Sequence, residues 1–494
     1  MTMKTAPYAH QAEEFEATKD LEFHGRFWEM GTGKSKTTVD EMCHLFTIGK
    51  IDSCLVIAPK GMYHQWAGEQ WTTHAWDGVS QNTIKWLWDP SSSSKKTVAI
   101  KADLLKRGDG QFRYLVMNVE ALSSKKGQDF AHKFVKFHKC MVVVDESSTI
   151  KNPKAKRTKA IIALGGDACY RRVLTGTPVT NSPLDVFSQM AFLHHGICGS
   201  SFVGFRRRYA LLKDMVLSGG RSFKVVTGFQ RLDELQRVIA PYTSRVLKED
   251  CLDLPPKVYM RRDVPLGDSQ RRIYLALRDE ALALLMTEGK HTHSLVTAPL
   301  MLVRLLRMRQ VLCGFVSPDD EDLVPVEDDQ RMSTLMDLLA ETRDKVVIWA
   351  NFQHSVKMIA DAVGKEYGRD SYITYYGADN MTSADRESRQ QQFRDPRSTV
   401  RFFIGTPPTG KWGLNLVSPE TKATTMVYFS NDFSLEARQQ SEDRLHRIGQ
   451  TGDSVVIYDL IARETLDEKI LDSLHGKRKL ATQVTGDEWR EWLN

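Results

Sequence analysis

Residues 28–35 have the composition of a loop that binds phosphate groups. The segment is rich in glycine and ends in Gly-Lys-Ser, just before a helical pattern. Glycines let backbone N–H groups approach a phosphate, a helix N-terminus favours anions, Lys34 supplies a positive charge, and Ser35 is suited to bind Mg²⁺. Trp28 stands where the strict phosphate-loop pattern has its first glycine, so the segment alone also fits an ordinary glycine-rich turn.

An acidic pair follows an apolar run further along the same half of the chain. Asp145 and Glu146 come directly after residues 142–144, which are all valine. Carboxylates at the carboxyl end of a parallel strand lie beside a phosphate loop, where Asp145 is suited to hold Mg²⁺ and Glu146 to polarise the attacking water. Such a pair often does no more than close a strand. Together, however, the two segments predict an ATPase with ATP and Mg²⁺ as its cofactors.

Near the C-terminus, residues 440–450 place Gln440, Arg444 and Arg447 at positions i, i+4 and i+7. If this segment is helical, the three side chains share one face. Two guanidinium groups that project together are suited to stabilise the γ-phosphate during phosphoryl transfer. This segment alone favours the simpler alternative given next, and only together with the rest of the chain does it predict a catalytic role for the three residues. A solvated basic face paired with neighbouring acidic residues is the alternative.

Short β-branched runs alternate with longer helical patterns in both halves of the chain, which indicates parallel sheets covered by helices. We predict two α/β domains, residues 1–253 and 254–494, with a helical insertion at about 196–250 in the first and a helical segment at about 265–315 in the second. The predicted strands are 54–58, 114–117, 141–145 and 172–174 in the first half, and 345–349, 400–404, 426–429 and 454–458 in the second.

The overall composition restricts the class of protein without identifying it. Hydrophobic residues make up 41% and charged residues 26% of the 494 positions, which is ordinary for a soluble globular protein, and no run is long enough for a membrane span. A net charge of +6 permits a polyanionic partner. The seven cysteines are scattered singly, which argues against a disulfide framework or a zinc site. The first residues lack the apolar core of a signal peptide, so we expect a cytoplasmic protein.

The motifs, taken in order, resemble those of superfamily 2 helicases, specifically the SWI/SNF-like branch of double-stranded DNA translocases. The most specific matches are D-R-x-H-R-I-G-Q at residues 443–450, L-T-G-T-P at 174–178, where the family has its coupling motif, and D-E-S-S followed by I-K-N at 145–152. The resemblance extends over nearly the whole chain. It implies two RecA-like lobes that bind ATP between them, with Lys34 on the first lobe and Arg444 and Arg447 on the second.

The resemblance also implies which residues bind the nucleotide and the nucleic acid. The implied nucleotide-binding residues are Tyr8, Gln11, Met30, Gly31, Thr32, Gly33, Lys34, Ser35, Lys36 and Thr37. The implied nucleic-acid contacts are Lys60, Asn118, Thr175, Thr406, Thr409, Lys411, Trp412 and Asn415. Most of these contacts would be to phosphates, because a motor must accept every sequence, so we expect an affinity that falls steeply with salt.

The sequence departs from the family pattern in two places. Ser148 replaces the usual histidine of the D-E-x-H box, which leaves open how hydrolysis communicates with residues 174–178. Lys411 and Trp412 stand where family members generally have small residues; Trp412 is suited either to stack on a base or to pack against the lobe. No additional module is recognisable, which favours a bare motor of bacterial or viral type.

The expected function is ATP-driven translocation on DNA, with duplex favoured and single strands or RNA left open. A strand-separating DNA or RNA helicase is the main alternative, although the sequence shows no recognisable wedge hairpin. A nucleic-acid binding subunit with a vestigial ATPase and a restriction-type motor subunit are further alternatives. We expect no membrane partner, and the motifs identify no protein partner. The expected location is the cytoplasm of a bacterial cell or of a phage-infected host.

Overall fold

The computed structural model describes residues 2–91, 94–216, 222–288, 294–317, 323–377, 381–410 and 414–487. The chain divides into two compact units. The first comprises Met1–Leu211, Thr227–Asp253 and Lys477–Asn494, and the second comprises Leu212–Val226 and Leu254–Gly476. Within the described ranges, no helix has the length and apolar character needed to cross a membrane.

Strands and helices alternate from the N-terminus to Asp253, as the sequence pattern predicts. The strands are β1 (Phe23–Arg26), β2 (Ser53–Ala58), β3 (Thr83–Leu87), β4 (Phe112–Asn118), β5 (Cys140–Asp145), β6 (Tyr170–Leu174), β7 (Ala210–Val216), β8 (Ser222–Phe229) and β9 (Thr243–Ser244). The helices are α1 (Ala9–Thr18), α2 (Lys34–Thr47), α3 (Tyr63–Gln65), α4 (Trp71–His74), α5 (Asp77–Ser80), α6 (Lys95–Asp103), α7 (Lys125–Phe137), α8 (Lys156–Asp167), α9 (Val186–Leu193), α10 (Phe202–Tyr209), α11 (Leu232–Ile239) and α12 (Lys248–Cys251).

A parallel sheet forms the centre of the first unit. Among the described strands its order is β3-β4-β2-β5-β6-β1-β9, and each neighbouring pair is parallel. Because successive side chains of a strand point to opposite faces, Leu55 and Val142 belong to one apolar cluster and Val56 and Val143 to another. Burial on both faces explains why these strands read as unbroken apolar runs.

The predicted helical insertion at 196–250 is only partly helical. Helices α10 and α11 lie within it, but β7 and β8 separate them and form a two-stranded sheet of their own. The prediction of helix is therefore wrong at 210–216 and 222–229. Both strands carry exposed apolar side chains, including Leu211, Met215 and Phe223.

The chain from Leu254 onwards repeats the alternation of strands and helices. The strands are β10 (Lys257–Val264), β11 (Phe315–Val316), β12 (Val324–Pro325), β13 (Val346–Trp349), β14 (Tyr372–Tyr375), β15 (Phe402–Gly405), β16 (Thr425–Tyr428) and β17 (Val455–Ala462). The helices are α13 (Asp268–Glu288), α14 (Ser294–Leu312), α15 (Arg331–Glu341), α16 (Gln353–Tyr367), α17 (Ser383–Arg394), α18 (Pro407–Gly410), α19 (Leu435–Glu442) and α20 (Leu466–Thr485).

The second unit is also built on a parallel sheet. Its described strands have the order β10-β17-β16-β13-β15-β14, again with parallel neighbours. The eight runs predicted as strands in the two halves all overlap strands of the two large sheets. The predicted fold class, two RecA-like lobes with parallel sheets and flanking helices, is therefore confirmed.

Candidate nucleotide and nucleic-acid sites

The phosphate loop connects β1 to α2 at the carboxyl edge of the first sheet. Lys34 is the first residue of α2, and Gly31 and Gly33 before it have φ angles of 86° and 94°. Only glycine adopts such angles without strain. A Cβ at Gly33 would in addition lie 2.0 Å from the side-chain nitrogen of Gln11. The glycines that predicted a phosphate loop are therefore required by the backbone that is observed.

The side chain of Lys34 folds back onto the start of this loop. Its ammonium donates hydrogen bonds to the carbonyl oxygens of Trp28, at 2.8 Å, and of Glu29, at 3.0 Å. Trp28, the departure from the phosphate-loop pattern, is fully buried, and its indole nitrogen donates to the Ser244 hydroxyl at 2.8 Å. The tryptophan thus anchors the start of the loop to β9, while the remaining glycines keep the conformation that phosphate binding requires.

The N-terminal helix is tied directly to the phosphate loop. The Gln11 side chain donates to the carbonyl oxygen of Thr32 at 3.0 Å, and a ring nitrogen of His10 lies 2.8 Å from the same oxygen. The exposed ring of Tyr8 stacks on His10 with 6.0 Å between ring centroids. Tyr8 and Gln11 therefore lie where the resemblance implies an adenine-binding edge. His10, which the sequence reasoning missed, lies between them in the chain.

The side chain of Lys36, an implied nucleotide-binding residue, contacts another residue of its own helix. Its ammonium forms an ion pair with Asp40 at 2.5 Å, one turn along α2, and both side chains are buried. Asp40 also accepts a hydrogen bond from the indole nitrogen of Trp76 at 2.9 Å. The Lys36 side chain is therefore part of the packing of α2, and its predicted role in nucleotide binding is wrong for the side chain.

A buried ion cluster holds α2 against the sheet. Glu41 of α2 contacts the guanidinium groups of Arg26, on β1, and Arg172, on β6, and all three side chains are fully buried. Burial alone would raise the pKa of Glu41, but the two arginines lower it to about 2. Breaking a buried pair of this kind costs about 3–5 kcal/mol. The cluster therefore fixes the helix that presents Lys34.

The acidic pair ends β5, two strands away from β1 in the same sheet. The Trp66 indole donates to one oxygen of Asp145 at 2.8 Å, and the backbone N–H of Glu146 donates to the other at 3.0 Å. Burial raises the pKa of Asp145, although the Trp66 hydrogen bond and the positive charge of Lys34 act against that rise. Donors on both oxygens orient the carboxylate that is the candidate Mg²⁺ ligand.

Glu146 has a strained backbone and contacts the coupling motif. Its φ of 46° lies in the left-handed region, which costs a non-glycine residue on the order of 1 kcal/mol. The Thr175 hydroxyl donates to the Glu146 carboxylate at 3.4 Å and accepts the backbone N–H of Thr177 at 3.1 Å. Thr175 is fully buried, so its predicted contact with nucleic acid is wrong for the side chain. Thr175 is instead part of the candidate ATP site.

Replacing Trp66 by phenylalanine is expected to weaken the Mg²⁺ site. The change removes the N–H that stabilises the ionised form of Asp145, so the already raised pKa of this carboxyl should rise further. The acid limb of the pH–rate profile should then move to higher pH, and the Mg²⁺ concentration needed for half-maximal ATP hydrolysis should rise about tenfold, as expected for one hydrogen bond to a charged group. Mg²⁺ titrations at several pH values measure both effects. An unchanged titration in a variant that remains folded would contradict the assignment of Trp66.

The arginine segment of the second unit is not one continuous helix. Helix α19 ends at Glu442, so the predicted helix from Gln440 to Arg447 is wrong after that residue. The turn that follows nevertheless brings the arginines together. Both guanidinium groups donate to the carbonyl oxygen of Leu414, Arg444 at 2.9 Å and Arg447 at 3.3 Å. Arg444 also donates to the carbonyl oxygen of Gln440 at 2.9 Å.

The end of α19 is fixed by a second buried ion cluster. Glu442 contacts Lys257 at 3.0 Å and Arg438 at 2.7 Å, and it accepts the Tyr259 hydroxyl at 2.8 Å. Burial alone would raise the pKa of Glu442, but Lys257 and Arg438 hold it well below its usual range. The cluster therefore positions the turn that carries the two arginines.

The implied nucleic-acid residues differ in exposure. Lys60 is exposed, Asn118 and Asn415 are partly exposed, and so is Thr409. Asn118 caps the following turn by accepting the backbone N–H of Ala121 at 2.7 Å. Thr406 is buried against Thr409, with 2.9 Å between the two hydroxyl oxygens, so its predicted phosphate contact is wrong for the side chain. Lys411 and Trp412 lie outside the described residues.

A phosphate loop, an ordered acidic pair and a parallel sheet that presents both define the first unit as the core of a P-loop nucleoside triphosphatase. The SNF2-related domain matches residues 27–314, and the helicase conserved C-terminal domain matches residues 330–449. The chain therefore belongs to the SNF2 family of superfamily 2 helicases. It carries the ATP-binding helicase domains of that family.

Several known proteins are similar to this chain. The TATA-binding protein-associated factor MOT1 of Saccharomyces cerevisiae is 26% identical over 395 residues, 70% of this chain and 20% of that protein. The chromatin-remodeling factor PICKLE of Arabidopsis thaliana is 25% identical over 488 residues, 93% and 32% of the two chains. The Zorya protein ZorD of Escherichia coli is 26% identical over 396 residues, 77% and 34%. The chain thus spans between 20% and 34% of the length of these relatives.

A solved structure, the SWI2/SNF2 ATPase core of Sulfolobus solfataricus in complex with dsDNA, is also similar. The TM-score is 0.41 at 22% sequence identity, and the match covers 100% of this chain and 96% of that chain.

Proposed function

We propose that this chain is an ATP-driven motor that translocates on double-stranded DNA. The observation that carries the proposal is the direct contact in the first unit between the candidate base Glu146 and Thr175 of the coupling motif. A nucleotide site whose candidate base contacts the coupling motif directly is suited to a motor, in which hydrolysis has to depend on the track. Membership of the SNF2 family supports the same function.

ATP would bind to the loop that carries Lys34 and Ser35, with Mg²⁺ held by Ser35 and Asp145. Mg²⁺ would neutralise charge on the transferred phosphoryl group. Glu146 would orient and polarise the attacking water, and Arg447 would stabilise the charge that develops on the γ-phosphate. Nucleic acid would be held mainly through its phosphates, by Lys60, Asn118, Thr409 and Asn415, without reading the sequence.

Strand separation is the second candidate function. The two-stranded sheet of β7 and β8 favours it, since a small sheet with exposed apolar side chains is suited to part a duplex. Leu211, Met215 and Phe223 on these strands are between 46% and 47% exposed. The residues between the strands, 217–221, lie outside the described ranges.

Duplex DNA is expected to stimulate ATP hydrolysis more strongly than single-stranded DNA or RNA. Steady-state hydrolysis is measured with each nucleic acid and with none, using Glu146→Gln as a blank. A second measurement follows release of a third strand from triplex DNA, which a translocase displaces without separating the duplex. Stimulation by single strands alone, together with separation of the duplex, would favour the helicase. Absence of hydrolysis under every condition would favour a binding subunit.

A further inference from the structure

Gln189 is a buried amide in the middle of an apolar helix. Helix α9 has the sequence V-F-S-Q-M-A-F-L, and all eight residues are buried. An amide without partners in such a place would be strongly destabilising, whereas leucine or methionine would fill the same space at no polar cost. The presence of glutamine is therefore explained by the hydrogen bonds that it makes.

Three hydrogen bonds fix the orientation of this amide. The Ser147 hydroxyl donates to its oxygen at 2.7 Å. Its nitrogen donates to the carbonyl oxygens of Pro178, at 2.8 Å, and of Asp185, at 3.0 Å. If the Gln189 amide were flipped, its oxygen would face two carbonyl oxygens, which cannot donate. The positions of the amide oxygen and nitrogen are therefore fixed by their partners. Gln189 thus joins a hydroxyl on one segment to a carbonyl on another.

The two segments are the acidic box, residues 145–148, and the coupling motif, residues 174–178. Ser147 directly follows Glu146, whose backbone is in the left-handed region. Pro178 is the last residue of the coupling motif, and Thr175 of the same motif donates a hydrogen bond to the carboxylate of Glu146. A change in the backbone at Glu146 therefore moves Ser147, and the amide of Gln189 passes that movement to Pro178.

The segment that follows Pro178 is held by Asp185, the N-cap residue of α9. The Asp185 carboxylate accepts the hydroxyl and backbone N–H of Thr180 and the backbone N–H of Asn181, at 2.7 to 3.0 Å. The ammonium of Lys151 donates to the Thr180 hydroxyl at 2.7 Å. Residues 178–181 are thus held as one piece, and a shift of Pro178 displaces all of them.

We propose that Gln189 is a positioning residue that couples the acidic box to residues 175–181, so that ATP hydrolysis responds to bound nucleic acid. Ser147 and Gln189 supply this connection in a chain that has Ser148 in place of the histidine of the D-E-x-H box. The inference rests on the proposed function, because it concerns the stimulated reaction. Gln189 acts through Ser147 and Pro178, which it contacts directly.

The test uses Gln189→Met, which keeps the length of the side chain and removes all three bonds, and Ser147→Ala, which removes only the bond to the acidic box. Hydrolysis is measured with and without saturating duplex DNA in each variant and in the double variant. We expect the rate without DNA to stay within about twofold and stimulation to fall about fivefold or more, the usual size of a coupling between sites. The double variant should be no worse than the stronger single variant, since both changes break one path.

Gln128→Met is the matched control. Gln128 lies on α7, and its amide donates to the carbonyl oxygen of Leu122 at 2.8 Å, so the change removes a comparable bond away from the acidic box. Stimulation should be unchanged in this variant. A parallel loss of the basal and stimulated rates with a lower melting temperature in Gln189→Met would show a purely structural role. If duplex DNA stimulates the wild type and both variants show the same ratio of stimulated to basal rate, only this inference is overturned. If duplex DNA does not stimulate the wild type, the proposed function is overturned as well.

Discussion

Replacing Glu146 by glutamine is expected to lower kcat for ATP hydrolysis by about 10²–10⁴-fold, the usual contribution of a general base. The amide is the same size as the carboxylate and still accepts the Thr175 hydroxyl, so the local structure should be kept. Glutamine cannot accept a proton from the attacking water. ATP binding should persist, because the phosphate loop and Lys34 are unchanged. Steady-state hydrolysis with duplex DNA and titration with a fluorescent ATP analogue measure the two effects separately.

The matched control is Glu120→Gln. Glu120 is an exposed carboxylate just after β4, at the same edge of the sheet as Glu146, so the charge change is equal but lies away from the acidic box. Its kcat should equal that of the wild type. If Glu146→Gln retains more than about a tenth of the wild-type kcat, a rate that loss of a general base does not allow, Glu146 is not the base.

Much of the first unit was predictable because apolar runs and glycines carry strong local signals. Residues 54–58 of β2, 114–117 of β4 and 141–144 of β5 are continuous apolar segments, since parallel strands are buried on both faces. The phosphate loop was recognisable from its glycines. The segments that lie beside the loop could not be predicted. The coupling motif lies between the acidic box and the loop because the strand order is β5-β6-β1, and the sequence does not reveal that order.

The errors arise where the tertiary structure decides the outcome. Thr175 was assigned to nucleic acid by its motif, but burial beside Glu146 gives its hydroxyl another partner. The helix predicted through Arg447 ends at Glu442, because the buried ion cluster around Glu442 fixes the end of α19. Arg26 and Arg172 were missed for a related reason, since a buried arginine looks like a surface arginine until its partner Glu41 is known.

Gln189 was also missed, although the sequence held a signal. A glutamine within the apolar stretch V-F-S-Q-M-A-F-L is costly to bury without partners. The partners themselves, Ser147 and Pro178, are distant in sequence and are joined only by the fold. Polar residues inside apolar helices are therefore useful markers of functional connections when a structure is at hand.

Replacing Arg447 by alanine is expected to lower kcat by about 10³-fold or more, which is the effect of losing an arginine finger in phosphoryl transfer. Arg447 is better placed for this role than Arg444. The guanidinium of Arg444 is nearly fully buried and donates through two nitrogens to the backbone carbonyls of Gln440 and Leu414. Arg447 is partly exposed and donates to Leu414 at the longer distance of 3.3 Å. Arg447 is therefore the more accessible of the two side chains.

Measuring both activity and stability should distinguish the roles of Arg444 and Arg447. Arg444→Ala removes the guanidinium donor of the Gln440 carbonyl oxygen and the nearer of the two donors of the Leu414 carbonyl oxygen, so both kcat and the melting temperature should fall. Arg447→Ala should lower kcat with little change in melting temperature, and Arg397→Ala, at a side chain 93% exposed, should change neither. Arg447→Lys keeps the charge but not the planar fork that matches phosphate oxygens, so it should restore only a small part of the lost rate. A wild-type kcat in Arg447→Ala would exclude this residue as the finger.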